Sequence, residues 1–533
     1  MTTSSEGRGA MEHAETKSGN GAVALLKALH AGGARICFAN PGTTELTLVD
    51  ALADVPEIRS VLALFEGVCT GAADGYARVS GQTPLTLLHL GPGFGNGIAN
   101  LHNARRARSA IVTIIGDHAS WHLPYDAPLT SDIESLASPV SVAVVRMRDP
   151  QAIGTDVARV LEAAAGAPGG PTTLIVPTDI MDVQVDPVTV PVAPPARRTV
   201  GAAHIDKAAE FLTGAQDLIL LLGGDALTEQ GQRAAADIVA KVGGRVLMEP
   251  YPAIVPLGGD LPPIERQAYF PEDVIRQMGK ARVVLAGALK PISYFGYEGF
   301  PSQLVPDERL LCLSDPAEAG VAALEALAAR LDGAVAAPAA KAPRRPTARA
   351  PDAPLSADMI VDSLVQQLPD DAIISLEGST LGGPWLRNAG HARRHRVMTN
   401  TGGAIGQGLP CAVGAALAAP GSRVVSLQSD GSGHYTVQSL WTMAREKLPV
   451  TIIIAANHRY GILQTELNRV EAPLEDPVIA SLTRLDNPRA DWTALAAGYG
   501  VEAVRVTTAG EFDAALARSL SHDGPLLIQA ELP

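Results

Sequence analysis

Cysteine is scarce in this sequence. The 533 residues contain four, Cys37, Cys69, Cys312 and Cys411, far apart and never as CxxC. That spacing excludes a disulfide scaffold and a thiolate zinc site, and makes buried free thiols in a reducing cytosol the expectation. Positive charge is short as well: 42 Lys and Arg against 56 Asp and Glu leave a formal charge of −14. A general nucleic-acid binder needs clustered cations to displace counterions, so that class is disfavoured. The two basic runs, Arg105-Arg106-Ala107-Arg108 and Arg393-Arg394-His395-Arg396, read as solvated surface. No apolar stretch of about 18 residues runs free of charges and turn signals, which removes the membrane-spanning class. Residues 1–20 have no apolar h-region and read as a polar, disordered tail rather than a signal peptide. A cytoplasmic chain is expected.

What is plentiful is apolar and small. Hydrophobic residues make up 47%, charged ones only 18%, and there are 52 glycines. This describes a compact α/β protein, and at ~100–200 residues per core its length asks for about three domains. The first unit is placed at 21–185, where β-like runs such as Arg35–Phe38, Val61–Phe65, Pro84–His89 and Ala110–Ile115 alternate with helical stretches. That rhythm is the signature of βα units on a parallel sheet. A proline-rich linker, Pro187–Arg198, precedes a central unit at 199–333 with strands expected at Leu218–Leu222, Arg245–Met248 and Ala281–Ala286. A second Pro/Ala-rich linker, 334–354, leads to a third unit at 355–533. Three tandem doubly wound α/β domains are therefore the expected fold.

The strongest local signal is Ser429-Asp430-Gly431-Ser432, followed after a helix and strand by Ala456-Asn457-His458-Arg459-Tyr460-Gly461. An Asp-Gly-Ser by itself is an ordinary turn. Here the strand Val424–Leu427 delivers Asp430, and a neighbouring strand delivers Asn457, to the carboxyl edge where open α/β sheets bind ligands. Both side chains are hard oxygen donors. Mg²⁺ takes a few of these and completes its shell with phosphate oxygens, while the Gly431 and Ser432 amides can face a diphosphate.

At this point the sequence resembles the thiamine-diphosphate enzymes, the family of benzoylformate decarboxylase, acetolactate synthase, pyruvate oxidase and pyruvate decarboxylase. Their hallmark is GDG, a helix, then an asparagine pair. This chain departs at Ser429 and Ala456 but keeps Asp430 and Asn457 as the implied metal ligands, with the Arg459 carbonyl as the third. The N-terminal unit matches independently: Ala63–Gly67 before the small-residue helix Cys69–Arg78 resembles the catalytic-glutamate segment. Read alone, Glu66 is a helix cap or a salt-bridge residue. By resemblance it hydrogen-bonds N1′ of the aminopyrimidine and promotes formation of the C2 ylide, which leads to an enamine after CO₂ leaves. The segment Thr399–Pro410 implies Ile405 as the residue that props the bent cofactor and Gly403 as acceptor of its 4′-amino group. Thr380, in Glu377-Gly378-Ser379-Thr380, and Tyr460 are the remaining implied cofactor contacts.

The resemblance also implies a homodimer or homotetramer with the active site at the subunit interface, a 2-oxo acid as substrate, and thiamine diphosphate with Mg²⁺. FAD is not expected, since the central unit lacks a GxGxxG. Leu88–Gly93 (LHLGPG) and Pro41–Leu46 (PGTTEL) resemble benzoylformate decarboxylase, with His89 as proton-transfer candidate and Thr43 in the substrate loop. A lone histidine after a strand is equally a structural residue. That decarboxylase's second histidine would fall near Pro291–Tyr297, where this chain has aromatic residues instead. His118 and His122 are the alternative proton-transfer groups, with His122 taken into the substrate pocket beside Ile462 and Leu463. The expectation is a non-oxidative 2-oxo-acid decarboxylase. An acetolactate-synthase-like carboligase is the rival, followed by a flavin-dependent oxidase and a catalytically silent homologue.

Overall fold

The computed structural model describes residues 19–185, 190, 196–333 and 349–533. Residues 1–18 of the expected N-terminal tail and the greater part of both linkers lie outside the described residues, while Asn20, expected in the tail, caps the helix Gly21–Ala31 by accepting the Val23 amide. Three sheets organise the rest. The first has six parallel strands in the order Arg59–Leu62, Ile36–Asn40, Leu85–Leu88, Ile111–Asp117, Pro171–Pro177, Ala143–Arg146. Its central members are buried from end to end, which is why they read as mostly apolar runs broken by threonine rather than as alternating patterns. The second sheet, also parallel, runs Glu265–Arg266, Arg245–Met248, Leu218–Leu222, Arg282–Ala286, Leu310–Ser314.

The third sheet has seven strands: Glu502–Val506, Leu526–Glu531, Val450–Ala456, Val424–Ser429, Ala372–Leu376, His395–Met398 and Val255–Leu257. The last comes from the stretch expected to belong wholly to the central unit. It pairs antiparallel with His395–Met398, and Pro256, lacking an N–H, is tolerated because the strand is an edge. The chain thus stitches its second unit into its third.

Two local expectations change. The strand expected through Phe65 ends at Leu62, and Glu66 opens a helix, Glu66–Ser80, instead of closing a strand. The neighbouring strand Ile36–Asn40 runs into Pro41, which has no N–H to continue the ladder, so Ala63–Phe65 leave the sheet. Cys37, Cys69 and Cys411 are buried free thiols, whereas Cys312, on the edge strand Leu310–Ser314, is exposed.

The first and third units meet where helix Glu66–Ser80 crosses helix Gly408–Ala418, backbone against backbone. A Cβ on Gly75 would lie 2.2 Å from the Cys411 carbonyl, and one on Gly414 1.9 Å from the Ala72 carbonyl. Beside the crossing, Asp74 and Arg78 form a fully buried ion pair at 2.5 Å. The Arg78 guanidinium also donates to the carbonyls of Thr399 (2.7 Å) and Ala253 (3.2 Å), joining all three units. Arg108 departs from the solvated reading of its run: it faces the half-buried Glu249 at the carboxyl ends of the central strands. No helix among the described residues is long and apolar enough to cross a membrane.

Candidate active site

The strand Val424–Ser429 ends in a capping box in which Ser432 Oγ takes the Ser429 amide and the chain turns into Asp430–Gly433. Asp430 is buried at this turn. One oxygen accepts the Gly431 amide at 2.9 Å and the other the His458 amide at 2.7 Å, so the carboxylate links two adjacent strand ends. Burial pushes its pKa above the ordinary carboxylate value, against the pull of those two amides. Asn457, at the end of Val450–Ala456, donates to the Thr380 hydroxyl at 3.2 Å, while its Oδ1 accepts the Arg459 amide at 3.3 Å. A pocket of about 500 Å³ opens here, lined by Ser379, Thr380, Asn457, Arg459, Gly461 and Ile462. The Tyr460 ring lies over Gly431, where a Cβ would meet it at 2.6 Å. Ile462 and Leu463 stand exposed on the helix Gly461–Arg469.

A second turn, Thr401–Gln407, precedes the crossing helix. The amides of Gly406, Gln407 and Gly408 all point at the Glu377 carboxylate, at 2.5, 3.0 and 2.8 Å, so a side chain from one strand end caps the helix N-terminus. Gly403 has φ +77°, a conformation natural only to glycine. Ile405 projects into solvent, 40% exposed. An isolated apolar side chain on a glycine turn, next to a polar pocket, suits an apolar ring laid against it.

The N-terminal unit forms its own cluster. Glu66 is buried and accepts from Asn96 Nδ2 at 3.0 Å. His89 precedes helix Leu90–Ala107, and both residues converge on Gly93: a Cβ there would lie 2.9 Å from Glu66 Oε1 and 3.2 Å from the His89 Cβ. Sequence reasoning missed the residue that organises this cluster. Glu45 is 0% exposed, and its carboxylate accepts from His89 Nδ1 (2.8 Å), the Gly42 amide (2.9 Å) and the Thr44 hydroxyl (2.8 Å). The signal was the histidine's need for a partner, but the pair is 44 residues apart. Thr43 opens the adjoining turn and is exposed. His122 packs instead among His118, Trp121 and Tyr125, with ring centroids 5.5–5.8 Å away.

Among the described residues no hydrogen bond joins the Glu66–His89 cluster directly to the Asp430–Asn457 cluster of the same chain, although Asn100 donates to both the Gly67 and the Gly406 carbonyls. Nor is there a group of three or more His, Cys, Asp or Glu side chains able to cage a metal. One carboxylate, one amide oxygen and a carbonyl fit a cation whose remaining ligands come from a diphosphate. With the glycine turn and Ile405 beside them, the residues present suit thiamine diphosphate with Mg²⁺.

Comparison with known proteins supports the same cofactor. The model described as thiamine pyrophosphate enzyme, N-terminal TPP binding domain, matches residues 19–136, and its C-terminal TPP binding counterpart matches 384–530. A Mycobacterium tuberculosis protein provisionally named acetolactate synthase large subunit IlvX is 43% identical over 518 residues, 96% of this chain and 99% of that protein. Benzoylformate decarboxylase of Pseudomonas aeruginosa is 30% identical over 543 residues, covering 95% and 97%. The chain belongs to the thiamine pyrophosphate enzyme family. This thiamine-pyrophosphate-dependent enzyme is of the decarboxylase or acetolactate-synthase-like carboligase type. Its fold is shared with a solved structure of Rhodococcus jostii thiamine-diphosphate-dependent 4-hydroxybenzoylformate decarboxylase, at a TM-score of 0.83 and 24% identity over 96% of this chain and 98% of that one.

Proposed function

We propose that the enzyme carries out the non-oxidative decarboxylation of a 2-oxo acid to an aldehyde, as a cytoplasmic homodimer or homotetramer whose sites form between subunits. The interface reading is supported by the two clusters making no direct hydrogen bond within one chain, so that a second copy could set a Glu66–His89 cluster over an Asp430–Asn457 cluster. Asp430, Asn457 and the Arg459 carbonyl would hold Mg²⁺. Thr380, Gly431, Ser432 and Tyr460 would surround the diphosphate, and Gly403, Ile405 and Glu66 the aminopyrimidine. When bound, thiamine diphosphate supplies the carbon nucleophile that adds to the 2-oxo group and holds the electron pair released with CO₂. We assign no flavin, since the central unit carries no GxGxxG.

The observation that carries the decarboxylase reading is the Glu45–His89 pair. A carboxylate only accepts, so Nδ1–H donates to Glu45 and Nε2 is left as the working nitrogen, which takes up a proton and passes it to a carbon centre from the doubly protonated ring. We assign Thr43 to that side of the substrate pocket, and Ile462 and Leu463 to the other, with His122 reaching it only by leaving its packing among His118, Trp121 and Tyr125. The name of the Mycobacterium tuberculosis relative favours the second reading, coupling to a second 2-oxo acid. His89→Ala separates the two: aldehyde release should fall about 100-fold, and a variant within twofold of wild type would remove His89 from the proton step.

A further inference from the structure

Asparagine is a weak helix former and is seldom buried. Helix Leu90–Ala107 nevertheless carries three, Asn96, Asn100 and Asn103, spaced so that they share one face. Asn96 serves Glu66. Asn100 and Asn103 are 2% and 0% exposed. A buried amide needs partners. These two find them across a unit boundary, in the Thr401–Gln407 turn, which for Asn103 lies 301 positions further along the chain.

Asn103 holds both backbone groups of one residue. Its Nδ2 donates to the Ala404 carbonyl at 2.8 Å, and its Oδ1 accepts the Ala404 amide at 3.1 Å. Only a primary amide offers a donor and an acceptor side by side in this way. Asn100 Nδ2 donates to the Gly406 carbonyl and His102 Nε2 to the Gly402 carbonyl, each at 3.1 Å. One helix thus takes the carbonyls of Gly402, Ala404 and Gly406, and makes no hydrogen bond to Gly403 or Ile405, the two residues assigned above to the aminopyrimidine. The approach is close because residue 402 is glycine: a Cβ there would lie 2.5 Å from Asn103 Oδ1 and 2.7 Å from His102 Cδ2. The Thr401 hydroxyl closes the contact by donating to the Asn103 carbonyl at 2.7 Å. Gly403 and Gly406 have φ +77° and +103°. A turn with two such glycines has much conformational freedom to lose, and bonds from outside it fix its shape before any ligand arrives.

We propose that Asn103 is a positioning residue for the cofactor: with His102 and Asn100 it clamps the Gly402–Gly406 backbone so that Gly403 and Ile405 are set for the aminopyrimidine. This rests on the assignment of that turn to the ring. The test is calorimetric titration of the full chain in the presence of Mg²⁺, with thiamine diphosphate and, separately, inorganic diphosphate as probes. Asn103→Asp keeps the shape and the acceptor for the Ala404 amide but turns a second acceptor toward the Ala404 carbonyl. It should weaken thiamine diphosphate by about 10- to 100-fold and leave inorganic diphosphate, which reaches only the Asp430–Asn457 side, within twofold. His102→Phe removes one donor of the clamp and should weaken thiamine diphosphate by about 3- to 10-fold. His102→Gln, which keeps a donor at similar reach, should restore it. If Asn103→Asp does not fold, the His102 pair decides alone. Thiamine diphosphate affinity within twofold of the parent would overturn the proposal. So would an equal loss for both probes, which would make the clamp a support for the fold at large. Ile405→Ala in the parent enzyme tests the underlying assignment by itself: unchanged thiamine diphosphate affinity there would mean that the turn does not seat the ring, and the proposal would fall with that reading.

Discussion

The Glu45 carboxylate, sealed from solvent, accepts the Nδ1 proton of His89 at 2.8 Å and is itself held by the Gly42 and Leu90 amides and the Thr44 hydroxyl. On the proposed mechanism Glu45 is a positioning residue that acts through the ring it orients. Glu45→Gln puts an amide N–H where an acceptor is needed and should lower kcat about 10- to 100-fold. Because the two residues work as a unit, Glu45→Gln/His89→Ala should be no slower than His89→Ala alone. Steady-state kinetics on the three variants checks this, and additive losses would show that Glu45 has a separate task.

Cofactor retention tests the other cluster. Asp430→Ala removes the one carboxylate of the oxygen set and should lower affinity for Mg²⁺ and thiamine diphosphate together, by about 10- to 100-fold. Removing the metal with a chelator should have the same effect on cofactor binding in wild type. Calorimetric titration reads both, and a variant that binds the pair normally would remove Asp430 from the metal site.

The crossing of helices Glu66–Ser80 and Gly408–Ala418 leaves no room for side chains at its glycines. Gly414→Ala places a Cβ 1.9 Å from the Ala72 carbonyl and 2.5 Å from the Tyr76 amide, backbone atoms that cannot rotate away. The helices must separate, at about 1–3 kcal/mol. Glu66 begins one helix and the Gly403–Ile405 turn leads into the other, so cofactor affinity should fall with stability. Gly421→Ala, where a Cβ meets nothing within 4 Å, is the control and should be silent in thermal unfolding and cofactor titration.

Half-buried Glu249 and buried His395 oppose each other in acid. Burial pushes Glu249 up to about 7, partly offset by Arg108, and pushes His395 down to about 4. Folded Glu249 holds its proton more tightly than the unfolded chain does, so its contribution is largest below about pH 4.5 and is lost as pH rises through 7. His395 resists protonation in the fold, so its contribution is full above about pH 6.5 and is lost as pH falls toward 4. Each displacement corresponds to about 3 kcal/mol, and between pH 4.5 and 6.5 the two nearly cancel. Urea unfolding should show Glu249→Gln losing more stability than wild type between pH 6.5 and 5. His395→Asn should instead gain stability over the same range. Identical slopes for all three proteins would show that neither group titrates as described.

Much of this was legible in the sequence because the signals are local. Asp430 and Asn457 end adjacent strands that announce themselves as apolar runs. Three α/β layers follow from the alternation of such runs with helices. The parts that were hidden depend on contacts between distant positions. No periodicity shows that Glu45 will meet His89, that Val255–Leu257 will leave its own unit to edge the third sheet, or that Asn103 will close on Ala404. Arg108 read as surface because a basic run gives no sign of a partner carboxylate 141 positions later in the chain.

The most direct measurement is the stoichiometry of products from the enzyme loaded with thiamine diphosphate and Mg²⁺, supplied separately with pyruvate, benzoylformate and a branched 2-oxo acid. One aldehyde for each CO₂ from the preferred acid is the expected result. Half as much organic product as CO₂, recovered as an acetolactate-type coupled acid, would contradict decarboxylation as the function and make the enzyme a carboligase.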